Sequence, residues 1–341
     1  MKQDVTIQDV AERAHVSTGT VSRVFNGHNV QKARRLRVLE AAKELDYQPN
    51  LYAKGMRSVR NGCFGIIVER VIKHNDPWLQ KLVLSVSSAM VERGCPCMLD
   101  FFDDADEDLP RILKWVDGCV LFGRYPPEFF EKAQRETDIP LVTYGEKMLY
   151  PNGISLDMDW ASGFQEAVTH LFALGHEKIG FVRSGAGHPS GEQKYAGYLA
   201  GLTAYGSAVD EQAAELDPNP GTSVFATAKT RTHRLLDRVP DVTGIVYASD
   251  STAFGGIAAL HERGFQIPRD ISIVGADDTD AGRWMVPSLT TVAMNYQELS
   301  ARLLEALTSL VNGHAPISST PMTPRLIIRD TCGAPPGGAS R

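Results

Sequence analysis

The chain has 341 residues, 43% of them apolar and 22% charged, which places it among globular proteins and excludes a wholly disordered chain, a collagen and a coiled-coil rod. Its apolar runs, such as Phe64-Gly65-Ile66-Ile67-Val68, are of strand length and too short to span a bilayer. The formal net charge is −6, but residues 1–61 hold eleven Lys or Arg against six Asp or Glu, a net of +5 that leaves −11 on residues 62–341.

A small basic head on a large acidic body is the asymmetry expected when only the head approaches phosphates. The N-terminus carries no apolar segment of a signal peptide, so a cytoplasmic location is expected. The five cysteines are sparse and odd in number, which argues against a disulfide framework. Cys95-Pro96-Cys97 has no second pair or histidine nearby, so a structural role fits it better than a metal or redox site.

In chain order, Thr6 and Asp9 have the spacing of an N-cap and its third-position partner, and Ile7, Val10, Ala11 and Ala14 follow at helical intervals. A break at His15-Val16 precedes Ser17, a second N-cap candidate. Val21, Val24 and Phe25 form the apolar stripe of the next helix, which Asn26-Gly27 terminates. Two short helices across so tight a turn are a helix-turn-helix candidate. The face opposite the stripe shows Thr18, Gly19, Thr20, Ser22 and Arg23, small hydrogen-bonding groups and one guanidinium suited to base edges in a major groove. An ordinary surface helix would show the same pattern.

A third helix is predicted from about residue 32 to 45, with Val38, Leu39, Ala42 and Leu45 turned inward. Arg34, Arg35 and Arg37 crowd its start, where cations oppose the helix dipole, which points either to phosphate contact or to a solvated basic face. Residues 50–57 have the pattern of a two-turn helix too short to be stable alone, expected to order only on a partner.

Three blocks together, Val5-Thr6-Ile7-Gln8-Asp9-Val10-Ala11, Ser17 through Gly27, and Tyr47-Gln48-Pro49-Asn50-Leu51-Tyr52-Ala53, resemble the headpiece of lac-repressor-type (LacI/GalR) regulators. The resemblance implies a homodimer on a pseudo-palindromic double-stranded operator, with hinge helices that order on DNA and wedge an apolar side chain into the minor groove. The wedge position, usually Leu, is Met56 here. The DNA-facing residues it implies are Thr6, Ser17, Thr18, Gly19, Thr20, Ser22, Arg23, Asn26, Arg35, Asn50, Ala53 and Met56. One departure is that Gln31 and Arg34-Arg35 stand where the family usually has Ser and Thr-Arg, which removes a cap and adds charge.

From residue 62 on, strand-like runs at 64–68, 98–102, 119–122, 141–144, 179–182, 245–247 and 271–274 alternate with helical patterns at 78–93, 160–174, 193–205, 225–238, 252–263 and 296–312. That alternation is the mark of doubly wound parallel sheets. It is too long for one small sheet, so two lobes flanking a cleft are expected, with ligand at the carboxyl ends of the strands. The expected organisation is a helix-turn-helix headpiece (1–49), a hinge (50–61), a two-lobed α/β body (62–332) and a flexible tail (333–341).

The body continues the resemblance through Asp76-Pro77-Trp78, Leu174-Gly175-His176-Glu177-Lys178-Ile179, Ala248-Ser249-Asp250, Val274-Gly275-Ala276-Asp277-Asp278 and Pro287-Ser288-Leu289-Thr290-Thr291-Val292. It implies an effector domain of periplasmic-binding-protein type that also supplies the dimer interface. By position, the effector candidates are Trp78, Arg124, His188, Ser190, Lys194, Ser249, Asp277 and Tyr296. Lys194 stands where the family normally has Arg and lacks its bidentate fork. Ser249 stands where Asn is usual. Trp78 and Tyr296 are expected to stack on a ring, and a sugar or sugar derivative is the expected effector.

Enzyme signals are weak. The loop 185–191 resembles a dinucleotide loop, but its last glycine is displaced and Pro189 interrupts it. No nucleophile elbow, phosphate loop or metal-spaced histidine pair is found, and the acidic run 103–108 reads as a solvated loop. No catalysis, cofactor, metal or membrane partner is therefore expected. The remaining alternatives are a transport-type solute-binding protein with the same body, which the head argues against, and a carbohydrate or nucleoside enzyme.

Overall fold

The computed structural model describes residues 5–25, 29–47, 62–70, 77–103, 108–145, 147–183, 189–207, 214–215, 223–314 and 320–337. The chain divides into two compact units, Met1–Gly62 and Cys63–Arg341. The expected hinge, with Asn50, Ala53 and Met56, lies outside the described residues, as do Asn26 and His188.

The first unit contains three helices, α1 (Ile7–Arg13), α2 (Thr18–Phe25) and α3 (Lys32–Glu44). The cap of α1 is reciprocal: the Thr6 backbone N–H and hydroxyl both donate to Asp9 Oδ2 at 2.7 Å, and the Asp9 N–H donates back to Thr6 Oγ1. These bonds hold the Asp9 carboxyl below its ordinary range. At the start of α2 the Thr20 N–H donates to Ser17 Oγ at 3.2 Å. The turn between them places His15 in the left-handed region, φ 51°. The core is Val10, Ala11, Ala14, Val21, Val24, Val38, Ala41 and Ala42, with Phe25 edge-on to Tyr47 at 5.7 Å.

Leu39 corrects the expectation for α3: it is 43% exposed, and Ala41 is buried instead. The inward stripe runs Val38, Ala41, Ala42, Leu45 at i, i+3, i+4, i+7, and Leu39 lies about 100° around the helix from Val38. Gln31 makes no capping side-chain bond, as its departure from Ser implied.

The second unit holds two sheets. The first is parallel throughout, with β1 (Phe64–Glu69), β2 (Cys97–Phe102), β3 (Gly118–Phe122), β4 (Leu141–Tyr144) and β5 (Gly153–Leu156) in the order β2-β1-β3-β4-β5. The second contains β6 (Ile179–Val182), β7 (Ala214–Glu215), β8 (Gly244–Tyr247), β9 (Ser272–Ala276), β10 (Thr290–Ala293) and β11 (Arg325–Ile327), ordered β11-β10-β9-β8-β6-β7. Only β11 is antiparallel among these pairings.

Apart from β11, the two sheets repeat one topology: the first strand is central, the second lies at the edge and the third reverses direction across the sheet. Each therefore has a switch point, between β1 and β3 and between β6 and β8, where open α/β sheets bind ligands at their carboxyl ends. The strands and helices predicted for residues 62–332 are all present. The helices Pro127–Glu136 and Asp280–Trp284, the 3-10 turn Arg111–Lys114 and the short strands β5, β7, β10 and β11 are additions.

The chain passes between lobes after β5 and after β10, and β11 returns it to the second lobe. The final long helix, Tyr296–Val311, packs against Pro77–Glu92 of the first lobe. One apolar core runs from Ile66 and Val120 through Phe164 and Leu171 to Val246, Val274 and Leu303. Near the crossovers, Asp159 N–H donates to the Met322 carbonyl at 2.7 Å and Met322 N–H to the Asp157 carbonyl at 3.1 Å.

The tail begins later than expected. Gly333 is pinned by its N–H to Ser272 Oγ (3.0 Å), while its carbonyl lies 2.9 Å from His176 Nε2 and accepts from Ser272 Oγ at 3.1 Å. A buried imidazole and hydroxyl need these partners, and they fix the chain there. All five cysteines are unpaired, and burial raises the thiols of Cys63, Cys95, Cys97 and Cys119, which for Cys95 and Cys97 suits the structural role expected of that pair. Among the described residues no helix is long and apolar enough to cross a membrane.

Candidate functional site

On the first unit, Ser17, Gly19 and Arg23 are exposed, and Thr18, Thr20 and Ser22 are half-buried. The Val21 and Val24 side of α2 is held in the core, so its polar face is turned outward on a rigid platform. Arg34, Arg35 and Arg37 are exposed along the first turns of α3, and Arg13 pairs with Glu44 at 2.5 Å, tying α1 to the end of α3. Small groups backed by a guanidinium on one helix, with arginines on the next, form a surface that can read base edges and neutralise phosphates.

On the second unit the structure brings Lys194 and Asp277 together. Lys194 lies on the helix Pro189–Ala204, and Asp277 directly follows β9. Their side chains are 9% and 6% exposed, with Nζ 4.0 Å from Oδ1. The ammonium also donates to the Ala248 carbonyl, at the end of β8, at 2.8 Å, and lies 4.2 Å from the centre of the Trp160 ring. Tyr296 hydroxyl donates to the Asp277 carbonyl at 2.8 Å.

This seating changes three expected roles. Tyr296 is 4% exposed and braces the Asp277 backbone, so its ring is not a stacking platform. Ser249 is a helix cap: its Oγ accepts from Thr252 N–H at 3.1 Å and its N–H donates to Thr252 Oγ1 at 2.9 Å. Its hydroxyl thus serves the helix Asp250–Glu262. Trp78 is half-buried against the apolar core. Ser190 lies one turn before Lys194, half-buried, and the Arg124 side chain is exposed after β3.

Several groups at the strand ends were not foreseen. Glu69, 5% exposed, ends β1, and its Oε2 accepts from the Arg124 N–H at 2.6 Å, which places a buried carboxylate at the first switch point. Gln193 Nε2 donates to Asp157 Oδ2 at 3.2 Å, and its Oε1 accepts from Trp160 N–H. Tyr144, at the end of β4, donates to Met294 Sδ at 3.4 Å. Burial raises its hydroxyl pKa, and the Asp277 and Asp157 carboxylates add to the rise.

Behind them, fully buried Asp250 accepts from Thr279 N–H and hydroxyl and from Thr291 hydroxyl, at 2.7, 2.8 and 2.7 Å. Burial pushes its pKa up to about 6. Isolated carboxylates at strand ends carry no local sequence pattern. Only the βαβ alternation, which locates those ends, signals them.

Residues 6–50 match the family model of bacterial regulatory proteins, lacI family, and residues 168–332 that of a periplasmic binding protein-like domain. The HTH-type transcriptional repressor PurR of Haemophilus influenzae is 30% identical over 340 residues, covering 95% of this chain and 97% of the relative. The chain belongs to the lacI family. A ribose operon repressor of Halalkalibacterium halodurans is likewise 30% identical, over 87% of each chain.

Among solved structures of similar proteins, a complex of the regulator CelR with cellobiose is 26% identical, with a TM-score of 0.69 over 96% of this chain and 99% of that one. The lac repressor dimer bound to operator and an anti-inducer, 24% identical, shares the fold with a TM-score of 0.78 over 97% and 100%. This lacI-family member is thus a DNA-binding transcriptional regulator whose helix-turn-helix lies within residues 6–50. The transport-type alternative is set aside by the match over residues 6–50.

Proposed function

We propose that this regulator binds a pseudo-palindromic operator as a homodimer, and that an uncharged polyhydroxylated effector, a sugar or sugar derivative, sets its operator affinity from the crevice between the lobes. The observation that carries the effector reading is the seating of Lys194. Its charge is met inside the protein by Ala248, Asp277 and the Trp160 face, while Glu69, Asp157 and Asp277 add carboxylate around the same strand ends. Carboxylates accept from hydroxyls and repel anions, so sugars fit this crevice better than sugar acids. The names of the ribose operon repressor and the CelR–cellobiose complex point to the same chemistry.

In the operator complex, Thr18, Gly19, Thr20, Ser22 and Arg23 face base edges, with Thr6, Ser17, Asn26 and Arg35 on the backbone. The hinge 50–61 orders on the duplex and wedges Met56 at the dyad. Leu84 (68% exposed) and Val91 (61%) on the helix Pro77–Glu92, with Leu99 on edge strand β2, offer one apolar face to a second copy. Trp284 and Val286 offer another on the second lobe. The regulator acts in the cytoplasm and carries out no catalysis.

A thermal-shift screen of the full chain against ribose, cellobiose, gluconate and hypoxanthine, beside Asp277→Asn, tests the effector reading. Stabilisation by a neutral sugar that Asp277→Asn abolishes is the expected result. Stabilisation by gluconate or hypoxanthine that Asp277→Asn leaves intact would place the site elsewhere.

A further inference from the structure

Asp277 and Asp278 both have left-handed backbones, φ 103° and 51°, a conformation that side chains other than glycine rarely adopt. The surroundings hold this turn from two directions. Within the second lobe, Asp278 carboxylate pairs with Arg329 at 2.5 Å and Arg283 at 2.9 Å. Burial alone would raise its pKa, but the two guanidiniums hold it below the ordinary range.

From the first lobe, Lys81 on the helix Pro77–Glu92 reaches across 197 positions of sequence. Its Nζ donates to the Asp278 carbonyl at 3.0 Å and pairs with Asp280 Oδ1 at 3.4 Å. It also lies 4.9 Å from the centre of the Tyr296 ring, whose hydroxyl bonds to the Asp277 carbonyl. One turn further along the same helix, Ser85 Oγ meets the Tyr296 carbonyl at 3.4 Å and Ser300 Oγ at 2.8 Å.

The two residues of the turn thus face opposite partners. The Asp277 carboxylate faces the proposed effector crevice through Lys194, and the Asp278 carbonyl faces the first lobe through Lys81. We propose that Lys81 is a positioning residue that fastens the Asp277–Asp278 turn to the first lobe and transmits effector occupancy between the lobes. This rests on the reading of Asp277 as an effector ligand. An effector that draws on Asp277 moves a turn with little conformational freedom, and the movement changes the Lys81 contacts. Lobe arrangements that differ in those contacts then differ in free energy, which is what coupling between sites requires.

The test uses full-length Lys81→Met, Asp280→Asn, the double variant and Lys81→Arg. Amide exchange is followed at residues 279–283, and operator binding on the palindrome that the wild-type protein selects from random DNA. Lys81→Met keeps the aliphatic stem over Tyr296 and removes only the ammonium. Expected are faster exchange at 279–283 in Lys81→Met and an operator affinity changed about fivefold or more. Asp280→Asn should shift affinity in the same direction but less, the double variant should match Lys81→Met, and Lys81→Arg should behave as wild type.

Exchange unchanged in Lys81→Met and Asp280→Asn overturns the proposal. So does faster exchange with operator affinity within about twofold of wild type, since the contact is then structural only. Should the wild type select no palindrome, the operator reading fails, and the exchange arm still decides whether Lys81 holds the turn.

Discussion

Removing the Lys194 ammonium is the sharpest perturbation of the buried pair, and Lys194→Met does so with little change in volume. The charge makes a 2.8 Å bond to the Ala248 carbonyl, lies 4.0 Å from Asp277 and sits over the Trp160 ring. A charge-assisted hydrogen bond contributes about 1.5–3 kcal/mol, a desolvated cation–ring contact about 2 kcal/mol, and breaking a buried pair costs about 3–5 kcal/mol. These figures describe one desolvated cation and overlap, so the expected loss is about 3–4 kcal/mol, a large share of a stability of roughly 5–15 kcal/mol.

Asp277→Asn leaves Lys194 its carbonyl and its ring and should cost about 1–2 kcal/mol. The double variant should fall short of the sum by about 1–2 kcal/mol, because the attraction between the two side chains is then lost once rather than counted twice. Urea titration followed by tryptophan fluorescence suits the measurement, since all four tryptophans (78, 115, 160 and 284) lie in the second unit. Additivity within about 0.5 kcal/mol, or a loss below about 1 kcal/mol for Lys194→Met, would mean that Lys194 and Asp277 do not act as a buried pair.

Arg23→Ala should cost about 1–3 kcal/mol on the selected operator and relax specificity, whereas Arg35→Ala should weaken all sequences alike and reduce the salt slope by about one unit, as read by anisotropy titrations at several salt concentrations. Equal losses on operator and random DNA for Arg23→Ala would reverse the assignment. His176 is held neutral: burial lowers its pKa below the ordinary value, so between the two values the unfolded chain binds more protons than the native one. Its contribution is therefore full above about pH 6.5 and falls as pH drops below it. Denaturation midpoints should decline there in the wild type and decline less in His176→Gln; parallel profiles would argue against the assignment.

Much of this was legible in the sequence where the determinants are local. The Thr6–Asp9 box, the Ser17 cap and the alternation of strands and helices rest on neighbours within one turn or one run. Leu39 was misplaced because an apolar residue one step from the stripe carries no phase information in so charged a helix. β10 and β11 are short and gain their order from pairing, as Thr291 opposite Ile327 does, so no run announces them.

The candidate site divides the same way. Asp277 was signalled by its place directly after a predicted strand and Lys194 by standing where the resembled family has Arg, and the structure places them together. The burial of Lys194 against Trp160, the conversion of Ser249 to a cap and the carboxylate of Glu69 arise from packing between distant segments. The bond from Lys81 to Asp278 joins parts of the chain that no periodicity relates.

Operator selection shows whether this chain reads a DNA sequence or only its charge. The full-length protein is equilibrated with random DNA, the bound fraction is sequenced, and the affinity of the recovered site is compared with that of scrambled DNA at physiological salt. A pseudo-palindrome bound about a thousandfold or more above the scrambled control is expected, with the difference reduced by Arg23→Ala. Recovery of no common sequence, or equal affinity for site and control, would contradict it.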